Sequence, residues 1–253
     1  MDMGKTVKTE ILFGINPVLE ALNAGRRTFF EVYIVERKIS DRLERMVTLS
    51  KAKKIPVVRV DPLKLKSLTG TDQNQGVGAR TSSYPLSGLS DIIDNIRPDD
   101  KNQLLLLVDN VMDPHNLGAL IRTALCVGVE GIIIPKDRSV PPTPSVSKAS
   151  AGALEHIRLA RATNMVTTIK TLKEKGWWIA GMEKASDKSI FLSDLTGHLA
   201  IVIGGEEKGM RPLVKKHCDF LMSIPQKGPI NSLNASVAGA VAMYEAFRQR
   251  HLC

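Results

Sequence analysis

The sequence predicts an α/β protein in two units. Short apolar runs alternate with helically spaced apolar stripes along both parts of the chain. Two runs, at 104–108 (LLLLV) and 199–203 (LAIVI), are wholly aliphatic and suit buried strands. Between the parts, residues 83–103 are rich in Pro, Ser, Gly and Asp around one short candidate helix, the composition of a linker.

The elements follow in order. Asn16 and Pro17 read as a helix N-cap and first helical position, with Val18, Leu19 and Leu22 on one stripe and Gly25 as the stop. A strand fits 30–35. Ser40 can cap a second helix bearing Leu43, Met46 and Val47, residues 55–60 read as another strand, and Asp61-Pro62 opens a short helix. The predicted organisation is a small α/β domain at 1–82, a linker at 83–103 and a second domain at 104–253.

Composition narrows the function. The 253 residues are 43% hydrophobic and 24% charged, ordinary for a globular protein. The longest aliphatic runs fall far short of the roughly 20 apolar residues that span a bilayer. The first ten residues carry both charge signs and match neither a secretory signal nor a transit peptide, so a cytoplasmic protein is expected. Cys126, Cys218 and Cys253 are scattered, with no C-x-x-C pair, which argues for reduced thiols rather than a zinc site or a disulfide framework. Net charge is +9, and residues 1–90 hold 15 Lys and Arg against 9 Asp and Glu. Such a surplus attracts polyanions, and RNA or DNA is the natural partner. Aromatics are only 4%, so a stacking platform is not expected.

Three segments of the second domain carry chemistry. Residues 109–124 (DNVMDPHNLGALIRTA) leave a buried strand and enter a helix that Asn116 can cap. Leu117, Leu120, Ile121, Ala124 and Leu125 form its core stripe. Arg122 lies off the stripe, near the strand's carboxyl end, where α/β sheets bind ligands. The loop 204–209 (GGEEKG) lets backbone approach a ligand. It fails as a phosphate loop, because Gly209 is followed by Met210 and Arg211 rather than by Lys and Ser or Thr, and no G-x-G-x-x-G occurs. The third segment, 224–236 (IPQKGPINSLNAS), runs into a long helix to about residue 250. Leu233, Val237, Val241 and Tyr244 are helically spaced along it, with small flanks at Ala235, Ala238, Gly239, Ala240 and Ala242. Ser232 and Asn234 stand near its N-terminus, where free backbone N–H groups favour anionic or carbonyl ligands or a simple cap.

In this order DPHNLGALIRTA (113–124), IGGEEKGM (203–210) and IPQKGPINSLNASVA (224–238) resemble the three motifs of the SpoU/TrmH branch of the SPOUT methyltransferases. FGINPVLEAL (13–22) and NQGVGAR (74–80) resemble that family's N-terminal substrate-binding domain. PKDRS (135–139), AGALEH (151–156) and YEAFRQR (244–250) look most like the RlmB-type guanosine methyltransferases of bacterial 23S rRNA. The resemblance implies a trefoil-knotted catalytic domain, a homodimer packed at its cofactor sites, and S-adenosylmethionine as methyl donor to a ribose 2'-hydroxyl of RNA. By matched position it assigns Asn116, Arg122, Glu206, Ser232 and Asn234 to catalysis. Gly204, Gly205, Glu206, Gly209, Ile224 and Leu233 would embrace the cofactor. Gln226 stands where the family usually has Met, and Ala235 where it usually has Val.

A ribose hydroxyl is a poor nucleophile, so alignment with the sulfonium methyl should dominate. A guanidinium holds its proton, which makes Arg122 a clamp and electrostatic stabiliser rather than a base, with a neighbouring phosphate as a candidate proton acceptor. Glu206 would orient Arg122 or the ribose. No metal or membrane is implied. Three other readings stay open: a tRNA ribose methyltransferase, a non-catalytic RNA-binding protein on the same scaffold, and a nucleotide-binding enzyme that uses the 204–209 loop.

Overall fold

The computed structural model describes residues 8–35, 40–94, 102–206, 208–229 and 232–251. Glu207, Ile230 and Asn231 of the motifs, and Cys253, lie outside the described residues. The first elements in the chain are β1 (Thr9–Phe13), α1 (Ile15–Ala24), β2 (Phe29–Val35), α2 (Asp41–Ala52), β3 (Val57–Val60), α3 (Pro62–Thr69) and β4 (Val77–Ser82). Next come α4 (Leu89–Ile93), β5 (Leu104–Asp109), α5 (Pro114–Cys126), β6 (Gly131–Pro135), α6 (Pro144–Ala149) and β7 (Leu159–Ala162). The chain ends through α7 (Met165–Glu174), β8 (Trp178–Met182), β9 (Leu199–Gly204), α8 (Pro212–His217), β10 (Phe220–Met222) and α9 (Ala235–His251). Among the described residues no helix is long and apolar enough to cross a membrane.

These elements form two compact units. The first comprises Met1–Pro85 and Pro142–His156, the second Leu86–Pro141 and Ile157–Cys253. In the first unit the sheet order is β1-β4-β2-β3, with β2 and β3 parallel and β4 antiparallel to both neighbours. Its core is Leu12, Val18, Leu22, Val32, Met46 and Ala79. Three local expectations are corrected here. Helix α1 starts before Asn16: Gly14, at φ 94°, takes the cap position, and Gln75 Oε1 accepts from the Ile15 N–H at 3.2 Å. Strand β3 starts at Val57 rather than Ile55, because the Ile55 N–H bonds back to Ser50 O at 2.9 Å and Pro56 has no N–H to offer a ladder. Strands β1 and β4 add to the elements that the sequence predicts. The caps at Ser40 and Asp61 and the Gly25 stop are as expected.

The first unit takes in Pro142–His156 for an electrostatic reason. Arg27 is buried with its side chain 0% exposed, and its Nε and Nη2 donate to the Glu155 carboxylate at 2.6 and 3.0 Å. Arg27 also pairs with Glu10 and donates to Ser82 O at 3.0 Å, while Ser147 Oγ donates to Glu155 at 2.8 Å. A buried charge persists only when it is paired and hydrogen-bonded.

The second unit is a six-stranded parallel sheet, ordered β10-β8-β9-β5-β6-β7. From β5 the chain runs outward through β6 and β7, while the later strands lie on the other side of β5 in the order β9, β8, β10, so the sheet reverses its order between β5 and β9. One face packs Leu105, Leu107, Ile133, Val202 and Ile179 against Met165, Ile169 and Val214 of α7 and α8. Helix α9 packs against β9 and α5. Gly239 makes that approach possible, since a Cβ there would lie 2.3 Å from Leu120 Cδ2.

Two helix stripes differ from expectation. On α5, Leu117, Leu120, Ile121 and Ala124 are buried, but Leu125 is 38% exposed. It sits about 80° around the helix from Leu117, at the stripe's edge. On α9 the buried face is Ala235, Gly239, Ala242, Met243 and Ala246, whereas Val237 and Tyr244 are 47% and 53% exposed. The small residues Ala235, Gly239 and Ala242 therefore serve packing inside the protomer.

Removing Glu155 leaves Arg27 buried with only part of its counter-charge. Glu155→Ala should cost about 3 kcal/mol in urea unfolding, the order for a broken buried pair. The double change Arg27→Met with Glu155→Leu should cost less than half of that. Equal losses for the two proteins would show that packing, not charge, holds the segment.

Candidate active site

The site grows from the carboxyl ends of three adjacent strands, β10, β8 and β9, beside the reversal point where open α/β sheets leave a crevice. A cavity of about 290 Å³ lies there. Its lining includes Met182, Glu183 and Lys184 after β8, Gly204, Gly205 and Glu206 after β9, and Met222, Ser223 and Ile224 after β10.

The glycines are required by contact with backbone. A Cβ on Gly205 would lie 2.1 Å from the Asn110 carbonyl oxygen, and one on Gly204 2.3 Å from the Gly209 carbonyl carbon and the Met210 nitrogen. The turn closes through Gly209 N–H to Gly205 O at 2.9 Å. Gly209, at φ 58°, occupies the left-handed region that glycine enters without strain. Below the turn the buried Asp109 carboxylate accepts from Arg211 Nε at 2.8 Å and from the Arg211 N–H at 2.9 Å, which ties the chain after β5 to the chain after the glycine loop.

One hydrogen-bond chain joins the three motif segments. Asn234 Nδ2 donates to Asn116 Oδ1 at 2.9 Å, and Asn116 Nδ2 donates to the Glu206 carboxylate. Asn234 Oδ1 caps α9, accepting from Ser236 N at 2.9 Å and Val237 N at 3.3 Å. With its oxygen committed to the helix, the Asn234 amide must point its NH2 at Asn116, and Asn116 must then point its own at Glu206. Asn116 is not the cap of α5. Asp113 is, accepting from His115 N at 3.0 Å with Pro114 at the first helical position, and this leaves Asn116 one turn in, free to bridge.

Of the residues expected at the site, Gly204, Gly205, Glu206, Gly209, Ile224, Ser232 and Leu233 line the cavity, and Asn116 and Asn234 join it through Glu206. Arg122 does not line it. It is exposed on α5, with no hydrogen bond or ion pair among the described residues. The sequence reading missed Glu183, Lys184, Lys208 and the two methionines. Glu183 Oε2 pairs with Lys215 Nζ at 2.9 Å, and that ammonium holds the Glu183 carboxyl below the usual carboxylate range. Gln226 and Ala235, the two departures from the family pattern, both line the cavity.

Comparison with known proteins bears on both units. Residues 103–244 match the SpoU rRNA Methylase family, and residues 11–87 match the family described as RNA 2'-O ribose methyltransferase substrate binding. The 23S rRNA (guanosine-2'-O-)-methyltransferase RlmB of Shewanella oneidensis is 38% identical, over 96% of this chain and 98% of that protein. A putative TrmH family tRNA/rRNA methyltransferase of Bacillus subtilis is also 38% identical, over 96% of both chains. Among solved structures, an AdoMet-bound rRNA methyltransferase from Sinorhizobium meliloti superposes with a TM-score of 0.78 at 25% identity, covering 95% of this chain and 87% of that one.

The glycine contacts give a direct test. Gly205→Ala must push backbone away from backbone, and overpacking of that kind costs about 1–3 kcal/mol. Gly228, with nothing within 4 Å of an added Cβ, is the control. Denaturant titration should show Gly205→Ala destabilised by that amount and Gly228→Ala changed by less than about 0.5 kcal/mol.

Proposed function

The chain belongs to the SpoU rRNA methylase family, and from that premise we propose that it methylates a ribose 2'-hydroxyl of RNA, at a guanosine of 23S rRNA, with S-adenosylmethionine as donor. The observation that carries the reading is the Asn234–Asn116–Glu206 chain, which sets an oriented carboxylate in the wall of the cavity.

The cavity suits this cofactor chemically. Glu206 is matched to a cationic ligand, Met182 and Leu233 offer apolar surface to a flat base, and Gly204 and Gly205 let backbone come close. Bound there, S-adenosylmethionine supplies an electrophilic methyl on a sulfonium. The protein's part is to align the ribose oxygen with that methyl and to exclude water. Glu206, held by Asn116, orients the hydroxyl, and Ser232 extends the polar wall. Arg122 stabilises negative charge on the oxygen and clamps the adjacent RNA backbone. Its approach is set by the bound RNA and by a partner protomer.

The working unit in this reading is a homodimer in the cytoplasm, with the C-terminal chain passing through a trefoil knot. Leu233 just before α9, with Val237 and Tyr244 on it, leaves an apolar strip exposed beside the cavity. A two-fold contact through that strip would cover it and bring the two cofactor sites together.

Transfer of a radiolabelled methyl group from S-adenosylmethionine to 23S rRNA, with ribose methylation mapped across rRNA and tRNA in a strain lacking the gene, tests the activity and its target. A missing mark in tRNA with intact rRNA would overturn the assignment to 23S rRNA. Arg122→Ala should lower kcat by at least about a hundredfold, the order for a lost electrostatic group, and leave S-adenosylmethionine affinity unchanged.

The dimer has its own test. Ala242 is fully buried in the protomer and is a poor probe. Tyr244→Glu instead places a charge twice in an isologous contact, and light scattering should then report monomers. A wild-type protein that is monomeric at micromolar concentration and fully active would refute the dimer.

A further inference from the structure

A second cavity, of about 580 Å³, adjoins the first and shares Lys208 and Gly209 with it. Its walls carry Arg138, Lys208 and Arg211, with Met112 and Pro212 as apolar surface, and among the described residues no acidic one lines it. The three cations are not equivalent. Arg211 is committed to the buried Asp109 carboxylate, with Nη2 at 2.6 Å from Oδ1, and its charge is already met. Arg138 and Lys208 are exposed and have no hydrogen bond or ion pair among the described residues.

The cavity is also a built feature. Arg138 holds φ 59°, in the left-handed region that residues with a Cβ seldom enter, and such a conformation persists where neighbouring structure imposes it; Asn110, at φ 68°, is of a type that enters that region more readily. Here Val111 O is the anchor: Ser139 Oγ donates to it at 3.2 Å and Val140 N at 3.0 Å, which pins the 135–140 loop against the chain after β5. On the other side the Asn110 carbonyl is packed against Gly205.

We propose that this cavity receives a backbone phosphodiester of the substrate RNA next to the ribose being methylated, gripped by Arg138 and Lys208 over the fixed floor of Arg211. The inference rests on the RNA-methylating reading above. Two cations without a counter-charge among the described residues, side by side in one pocket, call for an anion. Sharing Lys208 and Gly209 with the donor cavity places that anion within a nucleotide's reach of the reacting hydroxyl. Arg138 offers the forked donor geometry that matches phosphate oxygens, and Met112 and Pro212 can flank the attached base. Arg138 and Lys208 thus act on the register of the RNA rather than on the methyl transfer itself.

The experiment uses the full chain and a 23S rRNA fragment. RNA affinity is measured across a salt series, S-adenosylmethionine affinity by calorimetry, and methyl transfer in parallel, for wild type, Arg138→Gln and Arg138→Lys. Arg138→Gln should bind RNA about tenfold more weakly, with a log–log salt slope reduced by about one, as for one lost phosphate contact, and with S-adenosylmethionine affinity unchanged. Arg138→Lys should keep the slope. If wild type methylates the RNA while Arg138→Gln binds it with unchanged affinity and slope, the phosphate site is overturned and the function stands. If Arg138→Gln loses affinity and slope but wild type transfers no methyl group, the site stands and the methylating reading is overturned. A wild-type protein without salt-dependent RNA affinity overturns both.

Discussion

The contact between Gly205 and the Asn110 carbonyl is the constraint from which the site is built. It presses the chain leaving β9 against the chain leaving β5 at the place where the sheet reverses its order, with no room for a single carbon between them. Two strands of a parallel sheet are ordinarily joined by their ladder alone, and their following loops are free to diverge. Here they cannot. Because they are held together, Asp109 lies beneath the glycine turn and is met by Arg211, and Glu206 emerges where Asn116 can reach it. The two cavities then lie on either side of one wall, made by Lys208 and Gly209. A residue larger than glycine at 205 would therefore disturb the carboxylate, the donor cavity and the adjoining cleft together.

Much of this was legible in the sequence, and the exceptions have physical causes. The runs that became β5 and β9 are aliphatic throughout because both faces of those strands are covered. Strand β4 was illegible: Gly78 interrupts its pattern because Leu65 Cδ1 lies 3.1 Å from where its Cβ would be, and its partners β1 and β2 are set by distant pairing. The glycine loop and the 224–234 segment announced themselves by composition. Glu183 did not, because it follows an unremarkable strand, and only the sheet order, with β8 between β9 and β10, brings it to the cavity. On α5 the start signal in the sequence is Asp113-Pro114, three residues before Asn116, and it outweighs the capping potential of the asparagine.

The same distinction separates the sequence boundary at residue 82 from the unit boundaries in space. Pro142–His156 is inserted between β6 and β7 of the second sheet, yet it belongs with the first unit because Glu155 answers Arg27. A glutamate in AGALEH gives no sign of being buried, yet its side chain is 1% exposed and paired with an arginine 128 positions away. Buried ion pairs are the features that sequence patterning conveys least, because each partner alone looks like a surface residue.

For the proposed reaction, the hydrogen-bond chain decides what kind of catalysis is open to the site. Glu206 accepts an amide N–H from Asn116, which fixes the direction of its carboxyl group, and carboxylates in general are too weak as bases to strip a free ribose hydroxyl. Guanidinium groups in general hold their protons and do not act as bases either. No strong base is needed if the order of events is right. As the C–O bond forms, electron density leaves the ribose oxygen and its proton becomes strongly acidic, so that a carboxylate, a phosphate oxygen or water can take it. The difficult step is then the approach of a weakly nucleophilic oxygen along the axis of the departing sulfur, and what lowers that barrier is position. A site that spends its residues on orientation is what this chemistry asks for: an amide fixed by a helix cap, a second amide fixed by the first, and a carboxylate fixed by both.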